Sequence, residues 1–503
     1  MGIVQKDAIR TSVISFVGLI LGYFNKAVLF VLLFSSAQVG LVNLIMNVAL
    51  LFAQFANLGS IYSSWRFFPF FRNHAKKHFG FLLANVLIVI LGVIIFTLII
   101  IFSKEFIVLN YSEKSNLFVD YYYAVIPLGI SIVFFQLFEN HMRGMHENVL
   151  PVFLQDVFLR ICTTLILLAT LFNWINFFQF FVLYIVLHFI APVYLLFHLI
   201  HKGELHFSLK AIQIPKRFQR IILSYSSFSY VNSLAALVVV SMDSLMIAKY
   251  NGLAETGVYT QMLLLISAVL FPYRSVIRVS SPLISKQWKD RNKKGMAELY
   301  QKSSSIGLIL GLLGFLFIWL PIHELFSFVP AYASGIHVFL FLMIGRIVDM
   351  YYGLNGIILS TSKKYKADFA FTLLLIIGVY VFNLYLIPKY GILGASISTG
   401  FAYVLYNVLR GWYLFRVFHL SPFQGQQLKL LFTFGVFLIF YYLIIHLTMN
   451  LSFIHSVLFK MCAKEFLLLI GFILPVYWLN LEPESVGFVK NWIGKRKKLN
   501  TNA

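Results

Sequence analysis

Runs of about twenty apolar residues recur from one end of this 503-residue chain to the other, and that recurrence decides the fold class before any motif is considered. A helix rises about 1.5 Å per residue, so about 20 residues cross a hydrocarbon layer of about 30 Å with every backbone hydrogen bond made internally. About fourteen such runs can be counted, near residues 11–34, 40–63, 80–102, 118–139, 149–171, 178–200, 221–248, 256–280, 304–325, 335–360, 368–387, 391–415, 428–448 and 460–480. Only 12% of the residues are charged and the mean hydropathy is +0.85, against about 25% charged in soluble chains. The expected fold is therefore an all-α polytopic membrane protein with about fourteen transmembrane helices. Met1–Arg10 feeds a full-length span, so the first helix is expected to serve as the insertion signal. Met-Gly opens the chain, but Lys6 breaks the myristoylation pattern.

The formal net charge of +22 would suit nucleic acid, but its distribution argues against that. Lysine and arginine crowd into alternate loops: Arg66 to Lys77, Lys202 to Arg220, Lys286 to Lys302, Lys363 to Lys366, Arg410 to Lys429 and the tail GKRKK. The intervening loops hold scattered lysines such as Lys104, Lys114, Lys249 and Lys389. This is the positive-inside pattern. It places both termini in the cytoplasm and sets the basic face against anionic lipid headgroups, at about 1 kcal/mol per residue near the surface. Cys162 and Cys462 form no motif and read as packing residues.

A constant shift of 217 residues superposes features of the two halves. Gly40 falls on Gly257, Ser63-Ser64 on Ser280-Ser281, Lys76-Lys77 on Lys293-Lys294, and Leu137 on Leu354. The shift spans an even number of helices, so the halves share one orientation about an axis along the membrane normal, as in many transporters. The expected organisation is a six-helix lobe at 1–200, a basic cytoplasmic linker at 201–220, a second six-helix lobe at 221–418, two further transmembrane helices at 419–480 and a basic tail at 481–503.

Charges inside apolar runs are costly and mark candidate sites. Asp243 lies in the seventh span, and the same shift sets it on Lys26 of the first. Two such groups could pair across the lobes and relieve both charges; alternatively Asp243 reaches toward Lys249 and Lys26 snorkels to the interface. Asp156 and Arg160 stand four apart, and Arg346 and Asp349 three apart, so each pair could neutralise itself on one helix face or line a wet cavity. Arg274 has no nearby acid, and a free guanidinium suits a phosphate, which it binds through two parallel hydrogen bonds. Asn43, Asn47, Gln54 and Asn57 give the second span a polar stripe that either lines a cavity or bonds neighbouring helices. No phosphate-loop signature and no metal-ligand cluster is present, and the outer loops leave no room for a catalytic domain. No cofactor is expected.

The run MDSLMIAKYNGLAETGVY, followed by SSPLISKQWKDRNKKGMAELYQK, resembles the middle of the polysaccharide flippases that export O-antigen, capsule and exopolysaccharide units (Wzx-like). These belong to the multidrug/oligosaccharidyl-lipid/polysaccharide (MOP, MATE-like) exporter superfamily. The matching positions are Asp243, Gly257, Tyr259 and Pro282 to Ser285. IPKYGILGASISTG resembles the family pattern before the twelfth span, with Pro388 and Gly391 making a tight turn and Ser396 and Gly400 a small-residue face. The resemblance implies two six-helix lobes plus two helices in a bacterial cytoplasmic (inner) membrane. It implies a flippase, not an enzyme, that moves a polyprenyl-pyrophosphate-linked oligosaccharide by alternating access for surface polysaccharide or lipopolysaccharide synthesis. Arg274, with Arg160, Arg346, Asn43 and Asn47, would bind substrate; Lys26, Asp243 and Asp349 would gate or couple to H+ or Na+. Polysaccharide polymerase machinery is an expected partner. Lys26 departs from drug exporters, which often carry an acid in the first helix. A cation-coupled multidrug exporter is the alternative, and a membrane-embedded transferase lacks a catalytic constellation.

Overall fold

The computed structural model describes residues 3–73, 78–205, 212, 214–448 and 457–479. Lys76-Lys77, most of the middle of the 201–220 segment and the 481–503 tail lie outside the described residues. The first helix, α1, runs from Ile3–Tyr23 through a π turn at Phe24–Leu29 to Phe30–Leu33. Ser35 then caps α2 (Ser36–Ala56): its hydroxyl accepts the Gln38 N–H while the Gln38 side chain accepts the Ser35 N–H. Two helix-end donors are thereby satisfied within one tight turn. α2 stops where Leu58 and Gly59 take positive φ, with the Asn57 side chain accepting the Gly59 N–H, and α3 (Ser60–Phe71) resumes beyond.

The chain continues as α4 (Phe81–Phe102), the short α5 (Lys104–Tyr111) and α6 (Asn116–Asp120), and α7 (Val125–Gly144). Next come α8 (Val149–Phe153, a π turn at Leu154–Phe158, then Leu159–Leu171), α9 (Phe177–His201), α10 (Lys216–Tyr250) and α11 (Leu253–Lys289). The last part holds α12 (Lys293–Trp319), α13 (Ile322–Ser327), α14 (Ile336–Tyr352), α15 (Asn355–Ser360), α16 (Tyr365–Phe418), α17 (Gly425–Thr448) and α18. α18 runs from Val457–Leu468 through a π turn at Leu469–Ile473 to Leu474–Trp478.

Among the described residues, eleven helices are long and apolar enough to cross a membrane. One of them, α16, has 54 residues, about 80 Å if straight, far beyond any bilayer. It is a hairpin of two spans. Gly391 takes φ 58° and ψ −137° at its tip, the Ser398 hydroxyl donates to Val379 O across it, and Phe382 meets Phe401 edge-on. With that hairpin read as two spans and with α10 and α18 added by length, the expected fourteen spans are present. Gly391→Ala is expected to cost about 1–3 kcal/mol, read as a lower melting temperature in detergent, because that backbone conformation is essentially confined to glycine.

The described residues group into two compact units, Met1–Gln261 with Ile387–Ile392, and Met262–Leu386 with Leu393–Ala503. The division falls inside α11, whereas the 217-residue shift divides the chain near the 201–220 segment. Packing and sequence repetition are different properties: α10 and the start of α11 pack with the first unit although the 217-residue shift assigns them to the second half.

In the first unit α2 is central, with Val39, Leu41, Leu44, Ile45, Ala49 and Ala53 all at 0% exposure, which leaves no lipid-facing side along that stripe. α4 instead presents Leu91, Ile94 and Leu98 outward, as a helix bathed in lipid must. At the end bearing the basic loops, Glu204 is buried against His78 at 3.2 Å and His141 at 3.9 Å. His78 Nδ1 accepts the Asn73 N–H, so its Nε2–H faces the carboxylate. In the second unit small residues allow close crossings: Gly307 of α12 meets the Met350 carbonyl, and Gly345 of α14 meets the backbone of Gly400.

Candidate functional site

Among the described residues, three polar clusters hold the candidate site residues, two in the first unit and one in the second. The first joins α1 to α8. Ser15, Gly18, Gly22 and Asn25 recur at spacings of three and four, so they share one face of α1. The Ser15 hydroxyl donates to Asp156 at 2.8 Å, and Arg160 donates to Gly18 O and pairs with Asp156 at 3.4 Å. Glycine is required at 18, where an added Cβ would lie 2.3 Å from the Asp156 backbone oxygen, and one at 22 would press on the Arg160 guanidinium at 2.6 Å. The Asn25 amide donates to Arg160 O at 2.9 Å and accepts from Thr164 at 2.8 Å. Asp156 and Arg160 therefore neutralise each other and are held by the neighbouring helix.

Both helices carry their π turns here, at Phe24–Leu29 and Leu154–Phe158, a feature frequent at functional sites. Lys26 lies in the first. It is exposed, stands within electrostatic reach of Arg160 and His188, and makes no ion pair among the described residues. It does not pair with Asp243, and Lys249 instead lies over the Tyr250 ring. The Nδ1–H of His188 donates to Tyr184 O at 2.7 Å, which leaves Nε2 available in the neutral ring.

The second cluster joins α2 to α10 and the start of α11. Asp243 is 3% exposed and accepts a hydrogen bond from the Tyr259 hydroxyl. Asn43 donates to Thr260 at 3.2 Å and Asn47 to Ser244 at 3.3 Å. Gln54 bonds Tyr62 and Asn57 caps α2, so all four members of the polar stripe bond within the protein. The closest approach is reciprocal. A Cβ on Gly40 would lie 2.0 Å from Leu253 O, and one on Gly257 would lie 2.0 Å from Ser36 O. Residues 36 and 253, like 40 and 257 and like 43 and 260, are one 217-residue shift apart.

The third cluster lies in the second unit. Arg346 pairs with Asp349 at 3.6 Å and stacks over Tyr403 at 4.1 Å. Asn407 donates to Asp349 at 3.0 Å and accepts from Asn355 at 3.0 Å. Arg410 bonds Asn355 and Tyr406 and forms an ion pair with Asp368, with side chains 9% and 17% exposed. Arg410→Leu is expected to cost about 3–5 kcal/mol, read as a lower melting temperature in detergent, because Asp368 would keep a buried charge without its partner. Removing both with Asp368→Leu should recover much of that loss.

Arg274 belongs to none of these clusters. It is exposed on α11 and has no ion pair among the described residues. Arg278, Ser281 and Ser285 follow it at spacings of four, three and four, so the four polar side chains form one stripe. A stripe of that kind faces water or a polar ligand, not lipid chains. The structure thus sorts the candidate cations: Arg160 and Arg346 are tied to carboxylates, while Lys26 and Arg274 are not.

Sequence reading did not single out Ser15, Asn25, Thr164, His188, Asn355, Asp368, Asn407 or Arg410 as site residues. Arg410 was grouped with the basic loop that follows it. Asn25 stood beside Lys26, but only the π turn brings its amide to α8.

No family model matches the chain. An uncharacterized membrane protein of Methanocaldococcus jannaschii is 24% identical over 239 residues, 46% of this chain and 46% of that relative. The capsular polysaccharide biosynthesis protein CapF of Staphylococcus aureus is 28% identical over 130 residues, 25% of this chain and 32% of its own. The matches thus span less than half the length of either relative. Among solved structures, an inward-facing multidrug resistance MATE family transporter of the MOP superfamily superposes with a TM-score of 0.65 at 12% identity, over 81% of this chain and 97% of that one. The chain therefore shares the fold of that protein. The lipid II flippase MurJ, in an inward closed conformation, superposes with a TM-score of 0.69 at 15% identity, over 94% of this chain and 99% of its own.

Proposed function

We propose that this protein is a flippase that carries a polyprenyl-pyrophosphate-linked oligosaccharide from the cytoplasmic to the outer face of a bacterial cytoplasmic membrane, for surface polysaccharide synthesis. The observation that carries this reading is that Lys26 and Arg274 make no ion pair among the described residues, whereas Arg160 and Arg346 are tied to Asp156 and Asp349. A cation left unpaired in a span is expensive unless a ligand or water meets it. A pyrophosphate is dianionic or more and accepts several charge-assisted hydrogen bonds, so either cation suits it.

In this reading the basic loops are cytoplasmic, and the reciprocal Gly40 and Gly257 contact closes the outer end of the first unit. Asp243, held by Tyr259, and Asp349, held by Asn407, are the carboxylates at which a coupling H+ or Na+ would act. The glycan needs room and hydroxyl or amide partners, and the Asn43 and Asn47 stripe would offer them once its present bonds open. The similarity of one quarter of the chain to a capsular polysaccharide biosynthesis protein and the MurJ-like fold over 94% of it support the lipid-linked cargo. A cation-coupled drug exporter uses the same fold, but an amphipathic cation would be repelled by Lys26 and Arg274.

The test is lipid extraction from cells depleted of the protein, with polyprenyl-pyrophosphate oligosaccharides quantified by mass spectrometry beside surface glycan. Accumulation of a completed lipid-linked oligosaccharide with loss of surface glycan is the expected result, and its mass identifies the cargo. Unchanged lipids and unchanged surface glycan would reject the reading.

A further inference from the structure

The loop between α4 and α7 reaches across the first unit to the end of α10, and the chemistry of that contact points to a conformational role. The last four carbonyls of a helix have no N–H four residues ahead within the helix. At the end of α10 the Asn251 and Gly252 N–H groups both turn back to Ile247 O, at 2.8 and 3.0 Å. Gly252, which would otherwise serve Ala248 O, is thus used elsewhere. Ser115, 1% exposed in the turn between α5 and α6, donates its hydroxyl to Ala248 O at 2.6 Å. Tyr111, at the end of α5, donates to Leu245 O at 3.3 Å one turn earlier. Gly252, with φ 98°, lets the Lys114 carbonyl approach to 2.7 Å of where a Cβ would stand. Three consecutive backbone features of the α10–α11 turn are therefore engaged by one hairpin.

The 217-residue shift sets Tyr332 at the position of Ser115. The Tyr332 hydroxyl is buried and has no hydrogen-bond partner among the described residues. The clasp is thus not reproduced in kind at the equivalent site of the other half.

We propose that the 103–121 hairpin is a latch that holds the α10–α11 turn to the first unit and must release, with Ser115 leaving Ala248 O, when the outer end opens. This rests on the alternating-access reading of the fold but not on the identity of the cargo. When the latch opens, water replaces Ser115 on Ala248 O. Its strength is that of one buried hydrogen bond, about tenfold in population, or about 1.4 kcal/mol.

The experiment uses the full chain in intact cells, with Cys162 and Cys462 changed to serine and Thr260→Cys as reporter beside Asn43. The probe is a membrane-impermeant maleimide. Ser115→Ala is expected to raise the labelling rate about tenfold, and Ser115→Thr, which keeps the hydroxyl, to leave it near the starting value. Ser115→Cys with Ala248→Cys, oxidised, should suppress labelling, and reductant should restore it. The latch is rejected if Ser115→Ala labels at the unaltered rate, or if the cross-linked protein labels as fast as the reduced one. If Ser115→Ala does not accumulate in the membrane, the cross-link pair alone decides. Failure of the flippase reading would appear instead in the lipid analysis, which does not depend on this labelling.

Discussion

Gly40→Ala is expected to abolish export while the protein still accumulates in the membrane. The new methyl carbon would stand 2.0 Å from Leu253 O and 2.8 Å from the Gly257 nitrogen, far inside any allowed contact, and both obstacles are helix backbone. Neither can swing aside as a side chain would, so α2 and the start of α11 must part. A conformer destabilised by about 3 kcal/mol falls more than a hundredfold in population. Gly257→Ala should match it, and the double substitution should be little worse than either, because both act on one contact. Gly435→Ala is the control: beyond its own stretch of helix nothing lies within 4 Å of the added Cβ, and export should be normal. Surface glycan normalised to membrane protein measures all four. Normal glycan in Gly40→Ala would show that this crossing is not part of the working cycle.

Neutralising the two untied cations should have the next largest effect. Lys26→Gln and Arg274→Gln are each expected to lower export at least tenfold, with lipid-linked oligosaccharide accumulating. A charge-assisted hydrogen bond to phosphate contributes about 1.5–3 kcal/mol. Lys26→Arg should retain more activity than Lys26→Gln, since it keeps the charge. Arg160→Gln should behave differently, because that guanidinium holds Asp156 and Gly18 O. Its loss should reduce membrane abundance before it reduces flux per molecule. Equal flux in wild type and the Lys26→Gln, Arg274→Gln double variant, at equal abundance, would remove the anion from the proposal.

The fold was legible because membrane insertion writes itself in length and composition. The fourteen expected spans stand out as apolar runs with charged or turn residues between them. Even the hairpin in α16 was marked by Pro388 and Gly391, and Gly391 is where the backbone takes a conformation closed to other residues. The repeat was legible through Gly40 and Gly257 because close backbone approach tolerates nothing larger. The side-chain partners were harder to read. Asp156 and Arg160 could be paired on paper by their four-residue spacing, but Ser15, Gly18 and Asn25 come from a helix more than a hundred residues away. Asp243 shows the same limit: its hydroxyl partner, Tyr259, lies on the next helix, and helical spacing says nothing about which neighbour faces which. The π turns left no sequence signature at all, since an extra residue in a turn resembles any other apolar residue.

The reciprocal crossing of α2 and α11 also bears on how such a chain could arise. In a symmetric dimer of a half-length protein, residue i of one subunit meets residue j of its mate, and j meets i. Here Gly40 meets Leu253 while Gly257 meets Ser36, and Asn43 meets Thr260 at the same offset. If two identical half-length chains were joined, each of these would first have been one residue facing its own copy or its copy's neighbour across a twofold axis. At such a place every mutation is made twice at once, and a side chain must fit against itself. Glycine meets that condition without cost. Fusion frees the two copies to diverge, so asymmetry such as Asn43 facing Thr260, or Lys26 standing where its counterpart is Asp243, becomes possible only afterwards.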